Sequence, residues 1–233
     1  MSHRHSPDAL LRVSHLAKHY DGVAALEDVN LTLDRSQLVA LVGHNGAGKS
    51  TLLGITAGLI EPTDGQVLVD GHVAGTLEAR AVLSYAGDNP VLYDDLSLWE
   101  HLEYVAALHG VEDWQTPSQE LVEVFGLHDR ADDLPSKFSR GMRQKAALAV
   151  ALVRSTPFVI IDEPFVGLDM RAQTALTELL VARTKAGCTI IVATHQPLFL
   201  SHADWCIQLH DGRMHYDGPP TDEVLSSLQR GEL

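Results

Sequence analysis

The stretch GHNGAGKST, residues 43–51, follows directly after the apolar run LVALV and constrains the fold more than any other feature of the chain. It fits the spacing G-x-x-x-x-G-K-[ST], in which glycines let backbone N–H groups curl around an anion. A helix that begins in the loop points the positive end of its dipole at the same anion. A flexible glycine turn is the alternative, but the apolar strand before the loop favours a nucleoside triphosphate site.

The predicted phosphate-binding residues are Gly43, His44, Asn45, Gly46, Ala47, Gly48, Lys49, Ser50 and Thr51. In a loop of this kind the lysine reaches the β- and γ-phosphates, and the serine hydroxyl is a ligand of Mg²⁺. We therefore expect Lys49 to contact the terminal phosphates and Ser50 to hold the metal ion.

Two acidic residues stand at the end of a second apolar run, FVIIDEP at 158–164. In a parallel sheet, ligands bind beyond the carboxyl ends of the strands. We expect Asp162 to hold Mg²⁺ through water and Glu163 to polarise the water that attacks the phosphate. Taken alone, this stretch is equally compatible with a solvated pair of acids in a turn.

The remaining apolar segments predict an α/β fold. Apolar and polar residues alternate in LLRVSHL and VNLTLD, which is typical of half-buried antiparallel strands. Continuous apolar runs, which are typical of strands covered on both faces, lie within QLVALVG, FVIIDEP and CTIIVATH. Further strands are predicted over QVLVDGHV and AVLSYAG, and a hairpin over WCIQLHDGRMHYDG. Helices are predicted over SLWEHLEYVAALHG, PSQELVEVFG, SRGMRQKAALAVALV, residues 169–186 and TDEVLSSLQR.

Strands that alternate with helices indicate an α/β fold with a parallel core sheet. Together with the phosphate loop and the predicted water-polarising Glu163, this pattern predicts a P-loop ATPase core. The antiparallel strands form a β subdomain, and the helices over about 88–155 form a helical insert subdomain. We expect a single domain over 1–233, with the core at about 10–87 and 156–220.

Composition limits the possible partners and location. The formal net charge is −14, whereas proteins that bind nucleic acid usually carry a basic surface, so no nucleic acid partner is expected. The N-terminus lacks the apolar core of a signal peptide, and the longest apolar run is too short to cross a bilayer. Cys188 and Cys206 show no metal-ligand spacing and indicate reduced thiols in a cytosolic protein. His3 and His5 could bind a metal, but a disordered terminus is favoured.

With FSRGM at 138–142, the chain resembles the nucleotide-binding subunit of ATP-binding cassette (ABC) transporters over residues 10 to 220. Ser139 is also a good N-cap for the helix that follows. The resemblance implies that Ser139, Arg140 and Gly141 form the family signature, a second anion site at a helix N-terminus. It also implies that two subunits sandwich two ATP molecules, each held by residues 43–51 of one chain and 139–141 of the other.

The resemblance assigns further roles along the chain. Tyr20 matches the aromatic residue that stacks on adenine, and Asp169 lies in the loop that crosses to the partner subunit. His195 matches the histidine that contacts the γ-phosphate, and Glu163 matches the catalytic glutamate. ATP and Mg²⁺ are the implied cofactors. The implied partners are a second nucleotide-binding subunit, identical or a paralogue, and separate transmembrane permease subunits.

The chain departs from the family pattern at two places. The signature is usually LSGGQ, and Phe138, Arg140 and Met142 differ from it; variants of this type favour an exporter. Asp88 stands where the family usually has a glutamine that senses Mg²⁺ and links to the membrane subunit. A carboxylate there can still accept a hydrogen bond from Mg²⁺-bound water, so Asp88 joins Ser50 and Asp162 as a predicted metal residue.

The leading hypothesis is an ATPase that drives a transporter from the cytoplasmic face of the cell membrane, with export as the favoured direction. A soluble ABC ATPase in translation or DNA repair is the alternative. Another P-loop enzyme, such as a small-molecule kinase, would leave FSRGM and His195 unexplained. A cassette that binds ATP but hydrolyses it poorly is a variant of the leading hypothesis, kept open by Asp88.

Overall fold

The structure is a computed structural model that describes residues 9–89 and 91–221. The strands are β1 (Leu11–Tyr20), β2 (Val23–Leu33), β3 (Leu38–Val42), β4 (Asp64–Val69), β5 (His72–Val73), β6 (Leu83–Ala86), β7 (Phe158–Asp162), β8 (Thr189–Ala193), β9 (Trp205–His210) and β10 (Arg213–Gly218). The helices are α1 (Lys49–Thr56), α2 (Leu77–Ala81), α3 (Leu98–Leu108), α4 (Gln115–Val124), α5 (Arg140–Leu152), α6 (Met170–Lys185) and α7 (Pro197–Leu200).

The strands form two sheets. The first is antiparallel, with the order β2-β1-β4-β5. The second has the order β10-β9-β3-β8-β7-β6, in which all strands run parallel except β10, which pairs antiparallel with β9. The predicted α/β fold, with a parallel core sheet, antiparallel strands and a helical segment between β6 and β7, is confirmed.

The parallel sheet is covered on both faces, as its continuous apolar strands predict. Successive residues of β3 point to opposite sides, so that Ala40 packs in one apolar cluster and Val39 in another. The first cluster joins the sheet to helices α3–α6, and the second joins it to α1 and the antiparallel sheet. Each fully buried leucine in such a core contributes about 1.5–3 kcal/mol of stability.

Two details differ from the sequence predictions. QVLVDGHV is a hairpin rather than one strand, because Asp70 (φ 51°) and Gly71 (φ 78°) form the turn between β4 and β5. AVLSYAG is a strand only from Leu83 to Ala86, because the residues before it belong to α2, which Thr76 caps. The predicted helix over TDEVLSSLQR, apart from Thr221, and His3 and His5 lie outside the described residues.

The register of the parallel sheet places three strand ends together. Ala193, the last residue of β8, pairs with Leu41 of β3 on one side and with Asp162 of β7 on the other. The loop after β3, the acidic residues at the end of β7 and the segment after β8 therefore meet at one edge of the sheet.

Candidate active site at the ends of three parallel strands

The loop that connects β3 to α1 is a fixed part of the fold. Gly43 and Gly48 have φ values of 152° and 102°. A Cβ atom added to Gly43 would lie 2.3 Å from the carbonyl oxygen of Leu209, and one added to Gly48 would lie 2.6 Å from that of Ala25. Because both obstacles are backbone atoms, only glycine fits at either position. These contacts argue against a flexible glycine turn.

The Lys49 side chain is buried against this loop. Its Nζ donates hydrogen bonds to the carbonyl oxygens of Gly43 (2.7 Å) and His44 (3.3 Å). The same atom lies 3.8 Å from Oε1 of Glu163. The ammonium group is therefore held between the loop and the end of β7, where it can attract an anion.

Asp162 is the last residue of β7 and is 1% exposed. Neither of its carboxylate oxygens has a hydrogen-bond partner with good geometry among the described residues. Burial raises the pKa of this carboxyl, and the nearby Ser50 hydroxyl lowers it only in part. A buried, unpartnered carboxylate beside a hydroxyl is a site that a hydrated divalent cation fits, because the cation supplies the missing positive charge.

Glu163 follows Asp162 in a left-handed conformation (φ 46°), which turns the chain at the strand end. Its backbone N–H donates to the carbonyl oxygen of Ala193 (2.9 Å), which fixes the turn to β8. Its Oε2 lies 3.4 Å from Nδ1 of His195, and its other carboxylate oxygen, Oε1, lies 3.8 Å from Nζ of Lys49. The carboxylate thus stands between a cationic side chain and an imidazole.

A cavity of about 280 Å³ opens at this edge of the sheet. Asp88 lines this cavity together with residues of the phosphate loop, and its side chain is exposed to solvent. Burial, together with the charges of Asp162 and Asp88, raises the pKa of the neighbouring Tyr85 to about 12. The lining residues are Ala25, Asn45, Gly46, Gly48, Lys49, Ser50, Thr51, Asp88 and Glu163.

The remaining predicted residues form a second group. Ser139 caps α5 and accepts a hydrogen bond from the backbone N–H of Met142 (3.3 Å), and Arg140 is exposed beside it. A Cβ atom added to Gly141 would lie 2.8 Å from the carbonyl oxygen of Gly167. Asp169 caps α6 and accepts a hydrogen bond from the Nζ of Lys145 (3.1 Å). None of the residues 139–141 and 169 lines the cavity described above.

Tyr20 belongs to neither group by direct contact. It ends β1 with 45% of its surface exposed, and the ammonium group of Lys18 lies 4.9 Å from the centre of its ring. Its free face is compatible with stacking, but the structure does not place it in the lining of the cavity.

Comparison with known proteins identifies the family. The sequence model described as ABC transporter matches residues 26–166. The SkfA peptide export ATP-binding protein SkfE of Bacillus subtilis (strain 168) is 32% identical over 211 residues, which cover 89% of this chain and 88% of the relative. The chain belongs to the ABC transporter family.

Solved structures of ABC ATPases agree with this result. A structure described as the ATP-binding subunit of an ABC transporter has a TM-score of 0.85 and 34% identity, and covers 95% of this chain and 93% of its own. The dimeric post-hydrolysis state of the ATP-binding cassette MJ0796 bound to ADP and Pi has a TM-score of 0.83 and 25% identity, with 90% and 98% coverage.

As an ABC ATPase, the protein binds ATP and hydrolyses it, and it is the ATP-binding component of a transporter. The predicted family and activity are confirmed. The alternative role in translation or DNA repair is not supported by these relatives, and family membership argues against a small-molecule kinase. None of the helices within residues 9–89 and 91–221 is both long and apolar enough to span a bilayer.

Sequence reasoning missed several residues of this ABC ATPase that shape the two groups. Lys145 on α5 had no distinguishing signal, because one lysine on an amphipathic helix is ordinary. The phosphate loop packs against Ala25 and against the Asp211-Gly212 turn. The N–H of Gly212 donates to the carbonyl oxygen of Ala47 (3.1 Å). Only the tertiary structure brings these distant segments together.

Proposed function

We propose that this ABC ATPase binds Mg²⁺-ATP between two cassettes and that hydrolysis drives export through separate transmembrane subunits. The observation that supports the proposal most strongly is the buried, unpartnered carboxylate of Asp162 at the phosphate loop. Its surroundings contain the hydroxyl of Ser50, the ammonium of Lys49 and the carboxylate of Glu163, which are the groups that phosphoryl transfer to water requires.

The phosphate loop and α1 bind the triphosphate in this proposal. Backbone N–H groups of residues 43–51 surround the phosphates, and Lys49 exchanges the loop carbonyls for phosphate oxygens. Ser50 and Asp162 would hold Mg²⁺, and Asp88 would contribute to the site through a water molecule. When bound, Mg²⁺ supplies positive charge that stabilises negative charge on the phosphate oxygens.

Glu163 is the proposed general base. Its carboxylate is held at the strand end by the backbone turn and lies between Lys49 and His195. It orients the attacking water and accepts its proton, while the Lys49 ammonium stabilises charge on the phosphate. His195 positions the Glu163 carboxylate and reaches toward the terminal phosphate with its exposed ring.

A second cassette completes the site. The N-terminus of α5 at Ser139 is an exposed anion site that does not border the cavity of its own chain. In a two-fold head-to-tail pair, this helix end of one chain faces the phosphate loop of the other. The dimeric state of the cassette MJ0796 supports this arrangement. The partner is a second copy or a paralogue.

A groove beside the site is suited to a transmembrane partner. It has a volume of about 450 Å³, adjoins Asn89, and runs between β6 and the helices α3 and α5. Its lining is mostly apolar, with Arg80, His109 and Arg154 among the polar residues. A short helix with apolar and acidic side chains, presented by a membrane subunit, would fit it. The protein would then work at the cytoplasmic face of the membrane.

Export is the proposed direction because the relative SkfE is named for peptide export, and the signature variant at 138–142 favours exporters. The domain arrangement proposed is one ABC domain over 1–233, with the helical subdomain at about 88–155.

The test uses Glu163→Gln, which keeps the shape of the side chain but removes the base. With ATP and Mg²⁺, light scattering after size-exclusion chromatography should show this variant as a dimer that hydrolyses ATP at least about 100-fold more slowly than the wild type. The double variant Lys49→Ala/Glu163→Gln is the matched control and should remain monomeric. A Glu163→Gln variant that stays monomeric, or that keeps wild-type turnover, would overturn the proposal.

A further inference from the structure

Two histidines and an aspartate converge beside the phosphate loop, outside the set of residues that lines the ATP cavity. His44 belongs to the loop, whereas His210 and Asp211 end β9 and begin the turn to β10. Nε2 of His44 lies 3.2 Å from Oδ1 of Asp211, and Nε2 of His210 lies 3.6 Å from Oδ2. One ligand atom from each residue lies within 4.8 Å of the other two.

The protonation of His44 follows from its other hydrogen bond. Its Nδ1 lies 2.9 Å from the carbonyl oxygen of Asn45. Because a carbonyl oxygen only accepts hydrogen bonds, Nδ1 carries a proton, and a neutral ring then directs the lone pair of Nε2 at Asp211. Two acceptors that face each other repel unless a proton or a metal ion lies between them.

The distances suit a metal ion. In a tetrahedral site with bonds of 2.0–2.1 Å, neighbouring ligand atoms are about 3.3 Å apart. The N···O separations of 3.2 and 3.6 Å are close to this value, although they involve different oxygens of Asp211. Because one ligand atom from each residue lies within 4.8 Å of the other two, a small movement of the side chains would enclose an ion. Two imidazoles and one carboxylate are a ligand set that zinc accepts, with a fourth position left for water. A backbone carbonyl bonded to Nδ1 is also the usual means of orienting a histidine ligand.

The backbone holds these ligands in place independently of any ion. The N–H of Gly212 donates to the carbonyl oxygen of Ala47 (3.1 Å), and the N–H of Glu27 donates to that of Gly212 (2.9 Å). Asp211 has a left-handed conformation (φ 46°), which turns its side chain within reach of both histidines. The ligands therefore come from two segments that are already joined, so little ordering is needed for binding.

We propose that His44, His210 and Asp211 form a binding site for Zn²⁺ or a similar divalent transition-metal ion, separate from the Mg²⁺-ATP site. A bound ion would join the β9–β10 hairpin, through His210 and Asp211, to the phosphate loop, through His44. The ion would thereby stabilise the phosphate loop in the conformation described above.

Isothermal titration of Zn²⁺ into the full-length chain tests this site. Millimolar Mg²⁺ is kept in the buffer to occupy the carboxylates of the ATP site, and nucleotide is left out because it binds zinc. We expect about one Zn²⁺ per chain, with affinity at least about 10-fold weaker in His210→Ala and in Asp211→Asn. Asparagine tolerates the left-handed conformation of Asp211, so the second variant should keep its fold.

Two controls locate the binding. His72→Ala removes a lone exposed histidine on β5, and His3→Ala/His5→Ala removes the N-terminal pair. Both should bind Zn²⁺ like the wild type, and Zn²⁺ should raise the melting temperature of the wild type and controls but not of the cluster variants. Equal binding by the cluster variants, loss of binding in the His3→Ala/His5→Ala variant, or the absence of saturable binding would overturn the proposal. The last result would assign the cluster to hydrogen-bonded imidazole–carboxylate pairs without a metal ion.

Discussion

At the scale of single residues, the site gathers more negative than positive charge. The carboxylates of Asp88 and Glu163 line the cavity, and Asp162 precedes Glu163 at the end of β7. The ammonium group of Lys49 is the positive charge in the lining. The charges of Asp88 and Glu163 both act to raise the pKa of Asp162. This excess favours a divalent cation. The resemblance aligns Asp88 with a position at which the family usually has an uncharged glutamine, so we expect this additional negative charge to alter the Mg²⁺ dependence of hydrolysis in this chain.

Asp88→Asn should therefore weaken the attraction for Mg²⁺ while keeping the size of the side chain. A unit charge near an exposed ion is worth about 1 kcal/mol, so the Mg²⁺ concentration for half-maximal ATP hydrolysis should rise about five-fold. Asp95→Asn, an exposed acid outside the cavity lining, is the control and should leave it unchanged. An Asp88→Asn enzyme with wild-type Mg²⁺ dependence would contradict the role given to Asp88.

The reactivity of Cys188 and Cys206 tests whether these two thiols are buried in the folded protein. Burial raises the pKa of Cys188 to about 11 and that of Cys206 to about 12, and the Cys188 thiol donates to the carbonyl oxygen of Thr156. Because only the thiolate reacts, and the pKa is higher in the folded protein, alkylation at pH 8 should be about 100-fold slower than in urea. The labelling rate should rise between pH 7 and 9.5, and Cys188→Ser should label more slowly still. Rapid labelling of the folded wild type would contradict this burial.

At the scale of secondary structure, α5 is the element with two functions. Its N-cap, Ser139, satisfies the N–H of Met142, and the same helix end is the proposed site for a partner's phosphate. On its other side, Lys145 of α5 is joined to Asp169, the N-cap of α6. This ion pair joins the second turn of α5 to the N-terminus of α6.

Ser139→Asp separates the two functions of this helix end. Aspartate is as good an N-cap as serine, so the free energy of unfolding in urea should hardly change, whereas Ser139→Ala should lose about 1 kcal/mol. The added negative charge should repel the phosphate, so the Ser139→Asp/Glu163→Gln double variant should no longer dimerise with ATP. A stable ATP-bound dimer of that variant would show that Ser139 does not face the nucleotide.

Sequence patterns predicted those parts of the site that depend on local signals. The phosphate loop has a fixed spacing, and the continuously apolar runs predict parallel strands whose carboxyl ends lie at one edge of a sheet. The turn at Asp70-Gly71 also carries a recognisable hairpin signal, which the apolar residues around it obscured. The contact of Gly212 with Ala47 and the His44–Asp211 pair could not be predicted, because each joins residues far apart in the sequence whose approach depends on strand order.

At the scale of the whole molecule, one chain carries two separate groups of predicted site residues. One is the strand-edge group around Lys49 and Asp162, and the other is the helix-end group around Ser139 and Asp169. The second group does not line the cavity of the first. Both groups can contact the same ATP molecule only if two cassettes pair head to tail. The proposed ATP site is therefore a property of the dimer rather than of the single chain.

The most direct test of this head-to-tail pairing is a structure of the Glu163→Gln variant crystallised with ATP and Mg²⁺. We expect a two-fold dimer in which Ser139 Oγ of one copy lies within about 3 Å of a γ-phosphate oxygen held by Lys49 of the other. A nucleotide bound by Lys49 with Ser139 of every neighbouring molecule far from its γ-phosphate would contradict it.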